Sequence, residues 1–150
     1  MNDRINYSKA SPEGYKALGA VHATIQKCGL APELIDLVYL RVSQINGCAF
    51  CIDMHTRDLS KRGVSSEKLT MLQVWREAGD WFNTRERVAL GWAETVTRVA
   101  QTHVPDADYQ AAAAEFTEKE LADLTYAVAL MNAFNRLGIA FRTPPAAPRV

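Results

Sequence analysis

The sequence predicts an all-α domain, and three observations support this fold class. Several segments of the 150-residue chain repeat apolar residues at the three- and four-residue spacing of one helix face. Residues that begin helices recur along the chain, and glycines that end helices follow them. Almost no stretch alternates apolar and polar residues as a half-buried strand does. We therefore expect one domain of about six to seven helices over residues 1–150, without a repeat or a linker.

The first half of the chain predicts three helices. Ser11-Pro12 begins the first, because Ser is a good N-cap and Pro fits the first helical position. Asn46-Gly47 ends the second, since this pair suits a left-handed turn, and Gly63 ends the third. The three predicted helices span residues 12–27, 32–46 and 48 to about 62.

The second half predicts four more helices. Ser65 or Ser66 can cap the fourth, and Asn83 with Glu86 three residues later resembles a capping box for the fifth. Pro105 restarts the chain before a short Ala-rich helix. The T-x-x-E pattern that begins at Thr117 is a strict capping box ahead of a strong apolar stripe. The predicted bounds are 66–78, 84 to about 99, 106–115, and 118 onward.

The C-terminal segment from about residue 143 contains three prolines, at positions 144, 145 and 148. Proline lacks the N–H group that a helix interior needs. We therefore predict an extended arm that lies over the surface of the domain or over a neighbouring subunit.

The composition excludes several classes of function. The 17 Lys and Arg residues balance 17 Asp and Glu residues, so there is no basic field for nucleic acid. No apolar run is long enough to span a bilayer, and the N-terminal segment has no secretory apolar region. We expect a cytoplasmic protein that binds neither membrane nor nucleic acid. Three cysteines are too few for a disulfide framework, so redox or metal chemistry is favoured.

The motif Cys48-x-x-Cys51 with His55 four residues further carries the strongest chemical signal. At about 100° per residue, the three side chains share one helix face. Asn46-Gly47 breaks the preceding helix, which puts the cysteines in a first turn, where free N–H groups and the dipole favour a thiolate. The spacing lets Cys48 close a disulfide with Cys51, and lets His55 exchange a proton with it. This pattern indicates a dithiol/disulfide cycle with a proton shuttle.

Other interpretations of the motif have different consequences. A c-type haem site needs His directly after the second cysteine, where this chain has Ile52. A zinc site assembled from the motif with Cys28 or Asp36 stays open, as does a pair of packed cysteines without chemistry. The thioredoxin interpretation lacks the strand that should precede the motif. Cys28 itself is most simply a small apolar residue.

The segment from Leu40 to His55 resembles the core motif of the alkylhydroperoxidase AhpD / carboxymuconolactone decarboxylase superfamily, and residues 135–142 resemble the C-terminal end of that family. The resemblance implies an all-helical, AhpD-like fold that assembles into trimers or hexamers. It also implies a peroxidase that reduces organic hydroperoxides and is itself reduced by an external dithiol or lipoyl-type carrier, with no bound cofactor.

The resemblance also implies roles for individual residues. Cys51 would be the peroxidatic thiolate, Cys48 the resolving thiol and His55 the proton relay. Asp36 stands where the family has a relay glutamate, and Phe50 stands where the family's namesake has a further histidine. The decarboxylase branch lacks the cysteine pair. The alternatives are a decarboxylase-like relative and a non-catalytic redox- or metal-sensing protein that uses the same pair.

Overall fold

The computed structural model describes residues 4–146, and in this range all regular elements are helical, which confirms the all-α class. Two short 3₁₀ segments, Leu72–Val74 and Gly79–Trp81, follow the fifth α-helix. The α-helices are α1 (Tyr7–Ala10), α2 (Pro12–Ile25), α3 (Pro32–Asn46), α4 (Ala49–Lys61), α5 (Ser66–Met71), α6 (Thr84–Thr97), α7 (Val99–Thr102), α8 (Asp106–Glu115) and α9 (Glu118–Ala140).

The fourth predicted helix is shorter than expected, because α5 ends at Met71 and not at Ala78. The guanidinium of Arg87 donates to the backbone carbonyls of Trp75, Arg76 and Gly79. These carbonyls are therefore satisfied by a side chain from α6, and the segment does not need a helical ladder.

The fifth predicted helix ends near its predicted bound, because α6 stops at Thr97, and a short helix that was not predicted, α7, follows a break at Arg98, whose backbone leaves the helical region at φ −96° and ψ 30°. The hydroxyl of Thr102 donates to the carbonyl of Thr95 across this break, at 2.7 Å. A side-chain donor thus replaces a backbone donor at the end of α6. The capping boxes predicted at Asn83 and Thr117 are both present.

Helix α3 lies at the centre of the domain and packs against α4, α6 and α9. Its apolar residues are buried on almost every side, including Leu37, Val38 and Val42. Helix α9 contributes Leu124 and Val128 to the same core. Because α3 is fixed by three neighbours, the turn at its C-terminal end is held firmly in place.

A buried carboxylate joins α6 to this centre. Glu94 accepts hydrogen bonds from Arg41 (2.8 Å), from the indole N–H of Trp75 (2.9 Å) and from Arg76 (2.8 Å). Burial alone would raise the pKa of Glu94, but these hydrogen bonds outweigh it and hold the pKa below its ordinary value. Arg41 therefore forms a structural ion pair.

The described part of the predicted arm, residues 143–146, is not helical. The backbone N–H of Ala146 donates to the carboxylate of Asp53 at 3.1 Å, so the segment lies over α4. The prediction for positions 147–150 lies outside the described residues. Among the helices of residues 4–146, none is long and apolar enough to cross a membrane.

Candidate active site

The site begins at the turn between α3 and α4. Gly47 ends α3 in the left-handed region, at φ 72° and ψ 32°, as the sequence predicts. Cys48 was expected to be the first helical residue, but α4 begins at Ala49 and Cys48 is its N-cap. The Cys48 sulfur accepts the backbone N–H of Cys51 at 3.4 Å. This sulfur therefore lies at the positive end of α4.

Cys48 and Cys51 form a disulfide, with 5.3 Å between their Cα atoms. This is the pairing that the spacing predicts. Cys28 is a free, partly buried thiol that packs against the core. Both cysteines of the pair are almost fully buried.

Gly138 of α9 lets the disulfide pack directly against a helix backbone. A Cβ atom at this position would lie 3.1 Å from the Cys48 sulfur and 3.7 Å from the Cys51 sulfur. The first distance is shorter than an ordinary carbon–sulfur contact, so any side chain here would push on the pair. Sequence reasoning did not select Gly138, although a glycine inside an apolar helical pattern is a recognised signal of close approach.

An amide and hydroxyl network fixes α9 against this turn. Asn135 is fully buried and donates to the hydroxyl of Ser43 at 3.0 Å, while its side-chain oxygen accepts from Asn46 at 2.9 Å. Asn46 also donates to Asn132. The hydrogen bonds tie the last turn of α3 to α9, on which Gly138 lies one turn further along.

A cavity of about 290 Å³ lies over Cys51, between α1, α2, α4 and α9. Cys51 and His55 line it, and Cys48 does not. Phe50 and Met54 of α4 line it as well. The other lining side chains are mostly aromatic or sulfur-containing: Tyr7, Tyr15, Met131 and Phe134. Cys51 is therefore the sulfur of the pair that faces an apolar space.

His55 is buried beside Cys51 on the same face of α4. Its ring packs against that of Tyr39, with 5.2 Å between the centroids. Neither ring nitrogen has a hydrogen-bond partner within the described residues. Burial lowers the pKa of His55 to about 4; the charge of Asp58 opposes this effect and that of His22 adds to it. The imidazole is consequently neutral at pH 7, because burial disfavours its protonated form.

Asp36 lies near the site, but its carboxylate is hydrogen-bonded to Arg62 and not to His55. Its carboxylate accepts a hydrogen bond from Arg62 at 2.7 Å, and it has none with His55. Burial raises the pKa of Asp36 and outweighs the hydrogen bond and charge of Arg62. Asp36 and His55 line a second cavity, of about 500 Å³, which also borders His22.

The zinc site that the sequence left open is not assembled. Across residues 4–146, no group of three or more His, Cys, Asp or Glu side chains is arranged to hold a metal ion.

The residue that sequence reasoning missed on this side of the site is Tyr39. It is fully buried between His22 and His55, and its hydroxyl has no partner in the described chain.

The lowered pKa of His55 predicts a pH-dependent stability for the disulfide form. In the unfolded chain the imidazole takes up a proton near pH 6.5, whereas in the folded protein it does so near pH 4. The free energy of unfolding should therefore fall between pH 6.5 and 4, by on the order of 3 kcal/mol in total. Urea titrations at a series of pH values measure this slope.

The matched variant is His55→Leu, which removes the imidazole and leaves Asp36 in place. The pKa of Asp36 is raised, so its contribution to stability grows as the pH falls and opposes that of His55. The loss of stability on acidification should be smaller in His55→Leu. An equal loss in both proteins would show that His55 is not the group responsible.

Comparison with known proteins assigns the family. The family model described as "Carboxymuconolactone decarboxylase family" matches residues 12–95. The uncharacterized protein YdfG of Bacillus subtilis is 34% identical over 140 residues, which cover 93% of this chain and 95% of YdfG.

Two solved structures are similar to the chain. A protein of unknown function from Agrobacterium tumefaciens, described as a candidate antioxidant defence protein AhpD, is 39% identical and superposes with a TM-score of 0.92, covering 97% of this chain and 99% of its own. An uncharacterized peroxidase-related protein from Ralstonia eutropha, described as an alkylhydroperoxidase AhpD core, shares the fold at 21% identity, with a TM-score of 0.81 and coverage of 93% of this chain and 74% of its own. The chain belongs to the carboxymuconolactone decarboxylase family and has the AhpD-like fold.

Proposed function

We propose that this protein is a thiol-dependent peroxidase that reduces organic hydroperoxides through Cys48 and Cys51. The observation that carries the proposal is the placement of Cys51 and neutral His55 together on the wall of an apolar cavity. An apolar space suits the organic part of a hydroperoxide, and a thiol beside a base can be activated as a nucleophile by loss of its proton.

In the first step, His55 takes the proton of the Cys51 thiol. The Cys51 thiolate then attacks the distal oxygen of the hydroperoxide, so that an S–O bond forms and the O–O bond breaks. The protonated His55 returns its proton to the departing alkoxide, which leaves as an alcohol. Cys51 is oxidised to a sulfenic acid, and the hydroperoxide is reduced.

In the second step, the Cys48 thiol attacks the sulfenic sulfur of Cys51. The disulfide forms and the hydroxyl leaves as water with the proton of Cys48. An external dithiol, such as a lipoyl-type carrier, then reopens the disulfide by exchange and is itself oxidised. The resolving role suits Cys48, because its sulfur packs against Gly138 and does not line the cavity.

The test is a single turnover of the pre-reduced protein with cumene hydroperoxide. We expect one equivalent of cumyl alcohol per chain, together with a loss of about two daltons in the peptide that contains Cys48 and Cys51. Cys28 should stay reduced. Disulfide formation without alcohol would contradict the peroxidase and would favour a redox-sensing protein; a bridge to Cys28 would contradict the proposed cycle.

We propose that Asp36 supports the proton transfer by His55 through the cavity that the two residues share. Asp36→Asn should lower the rate of Cys51 oxidation by at least about tenfold and change its pH profile, because general acid–base contributions are typically larger than this. Asp36→Glu, which restores the residue of the family motif, should hold the rate. Stopped-flow oxidation at several pH values measures both quantities.

The matched control is Arg62→Gln, which breaks the same ion pair and keeps the carboxylate. If Asp36 acts on proton transfer, Arg62→Gln should stay within about threefold of the wild-type rate at pH 8. If both variants lose activity equally, the ion pair is structural and Asp36 has no part in the relay.

We further propose that the protein is a cytoplasmic, closed homo-oligomer, a trimer or a hexamer. Two aromatic side chains on neighbouring helices support the assembly into an oligomer: Tyr109 of α8 is 48% exposed and Tyr126 of α9 is 65% exposed. Large exposed aromatic groups are typical of interfaces. Light scattering should give a multiple of the 16.6 kDa chain mass, and a mass near 16.6 kDa at micromolar concentration would contradict the assembly.

A further inference from the structure

We infer that Gly19 sets the substrate specificity of the cavity over Cys51, and that the cavity takes a compact, uncharged hydroperoxide with an aromatic or branched organic group. This inference rests on the proposed peroxidase function and extends it to the class of substrate and to one residue that selects it.

Gly19 lies in the interior of α2, where glycine costs about 1 kcal/mol relative to alanine. Two of the usual reasons for a helical glycine do not apply. Its backbone does not adopt a left-handed conformation, and a Cβ atom built on it would meet no heavy atom within 4 Å. Gly138 is the opposite case, because a Cβ there would press on the Cys48 sulfur.

The position of Gly19 supplies the missing reason. Tyr15, Gly19 and His22 are spaced by four and three residues, so they share one face of α2, and all three line the cavity. Gly19 is exposed to solvent and a Cβ on it would meet open space, so a larger side chain at position 19 would add bulk at the solvent-facing edge of this cavity. The missing side chain therefore leaves open volume in the cavity that also contains the Cys51 sulfur.

The chemistry of the cavity wall defines the class of substrate. Within the described residues, no Lys, Arg, Asp or Glu lines this cavity, and most of its lining is aromatic or methionine. A substrate carboxylate would lose its hydration here without a cationic partner, which is costly. A volume of about 290 Å³ is at the small end of ligand cavities. These features favour a small neutral molecule whose apolar group stacks on aromatic rings.

The first experiment compares three peroxides: cumene hydroperoxide, hydrogen peroxide and the hydroperoxide of linoleate, which carries a carboxylate. For the wild-type protein, the second-order rate constant for Cys51 oxidation by cumene hydroperoxide should exceed that for the linoleate hydroperoxide by at least about tenfold. In Gly19→Leu, the rate constant with cumene hydroperoxide should fall by at least about tenfold, while that with hydrogen peroxide stays within about threefold.

The matched control is Ala20→Leu, which adds the same side chain to the next residue of α2, outside the lining of the cavity. It should leave all three rate constants within about twofold. Thermal denaturation of both variants confirms that they are folded. Equal losses with cumene hydroperoxide and hydrogen peroxide in Gly19→Leu, or equal effects of the two leucine variants, would overturn the role of Gly19.

The second experiment measures the binding of cumyl alcohol, an unreactive analogue of the hydroperoxide, to the oxidised protein by calorimetry. Binding should be lost in Gly19→Leu and kept in Ala20→Leu. If cumyl alcohol binds in this way but no peroxide oxidises Cys51, the proposed function fails and the binding specificity stands. If peroxides are reduced and neither binding nor rate depends on position 19, the specificity inference fails and the peroxidase stands.

Discussion

Replacing Cys51 with serine is expected to abolish hydroperoxide reduction, with a loss of at least about three orders of magnitude in rate. A serine hydroxyl beside neutral His55 is a far weaker nucleophile than a thiolate. Cys48 cannot take over the reaction, because it does not line the cavity. Alcohol formation from cumene hydroperoxide in a single turnover measures the effect.

The matched variant, Cys48→Ser, should behave differently. Cys51 can still attack the hydroperoxide, so one equivalent of alcohol should form, and the sulfenic acid should accumulate because its resolving thiol is absent. Labelling with dimedone detects that species. A peroxidatic role for Cys48 would also have a physical basis, because the Cys48 sulfur lies at the N-cap of α4, where a thiolate is stabilised. If Cys48→Ser abolishes the first oxidation and Cys51→Ser retains it, the two roles are exchanged.

Of the substitutions proposed for this protein, Glu94→Gln is expected to lower the free energy of unfolding the most. The amide keeps the shape of the side chain but removes the charge that Arg41 requires and adds two donors in a place where three donors already converge. Leaving a buried charge without its partner costs roughly 3–5 kcal/mol. Urea denaturation of wild type and variant gives the difference in the free energy of unfolding.

The control for this prediction is Glu115→Gln. Glu115 is 3.8 Å from Arg85, and both side chains are about one-third exposed to solvent, so the substitution should cost less than about 1 kcal/mol. A Glu94→Gln variant that is no less stable than Glu115→Gln would contradict the structural importance of the buried carboxylate.

The helices were predictable wherever a local signal determines them. The capping boxes at Asn83 and Thr117 and the left-handed turn at Gly47 are decided by a few adjacent residues, and all three occur as predicted. The predicted end of the fourth helix was wrong, because the end of α5 depends on a residue outside the segment. The guanidinium of Arg87 in α6 donates to three backbone carbonyls that follow α5. Propensity within the segment cannot reveal such a contact.

The same distinction applies to the site. The pairing of Cys48 with Cys51 follows from their spacing on one helix. The contact of Asp36 with Arg62 could not be predicted, because it joins two helices whose relative rotation the sequence pattern does not specify. Glycines inside helical patterns, such as Gly19 and Gly138, can be noticed in the sequence, but only the packing shows that the first lines a cavity and the second faces a sulfur atom.

The disulfide closes a loop of very few residues, since its cysteines are three positions apart. In the chain-entropy model, such a short loop restricts the unfolded chain by only about 2 kcal/mol, compared with about 4.7 kcal/mol for a loop of 100 residues. Opening the bond therefore removes little of the constraint on the unfolded ensemble. Oxidation and reduction of the pair are therefore expected to be coupled to folding less strongly than they would be for a disulfide that closes a long loop.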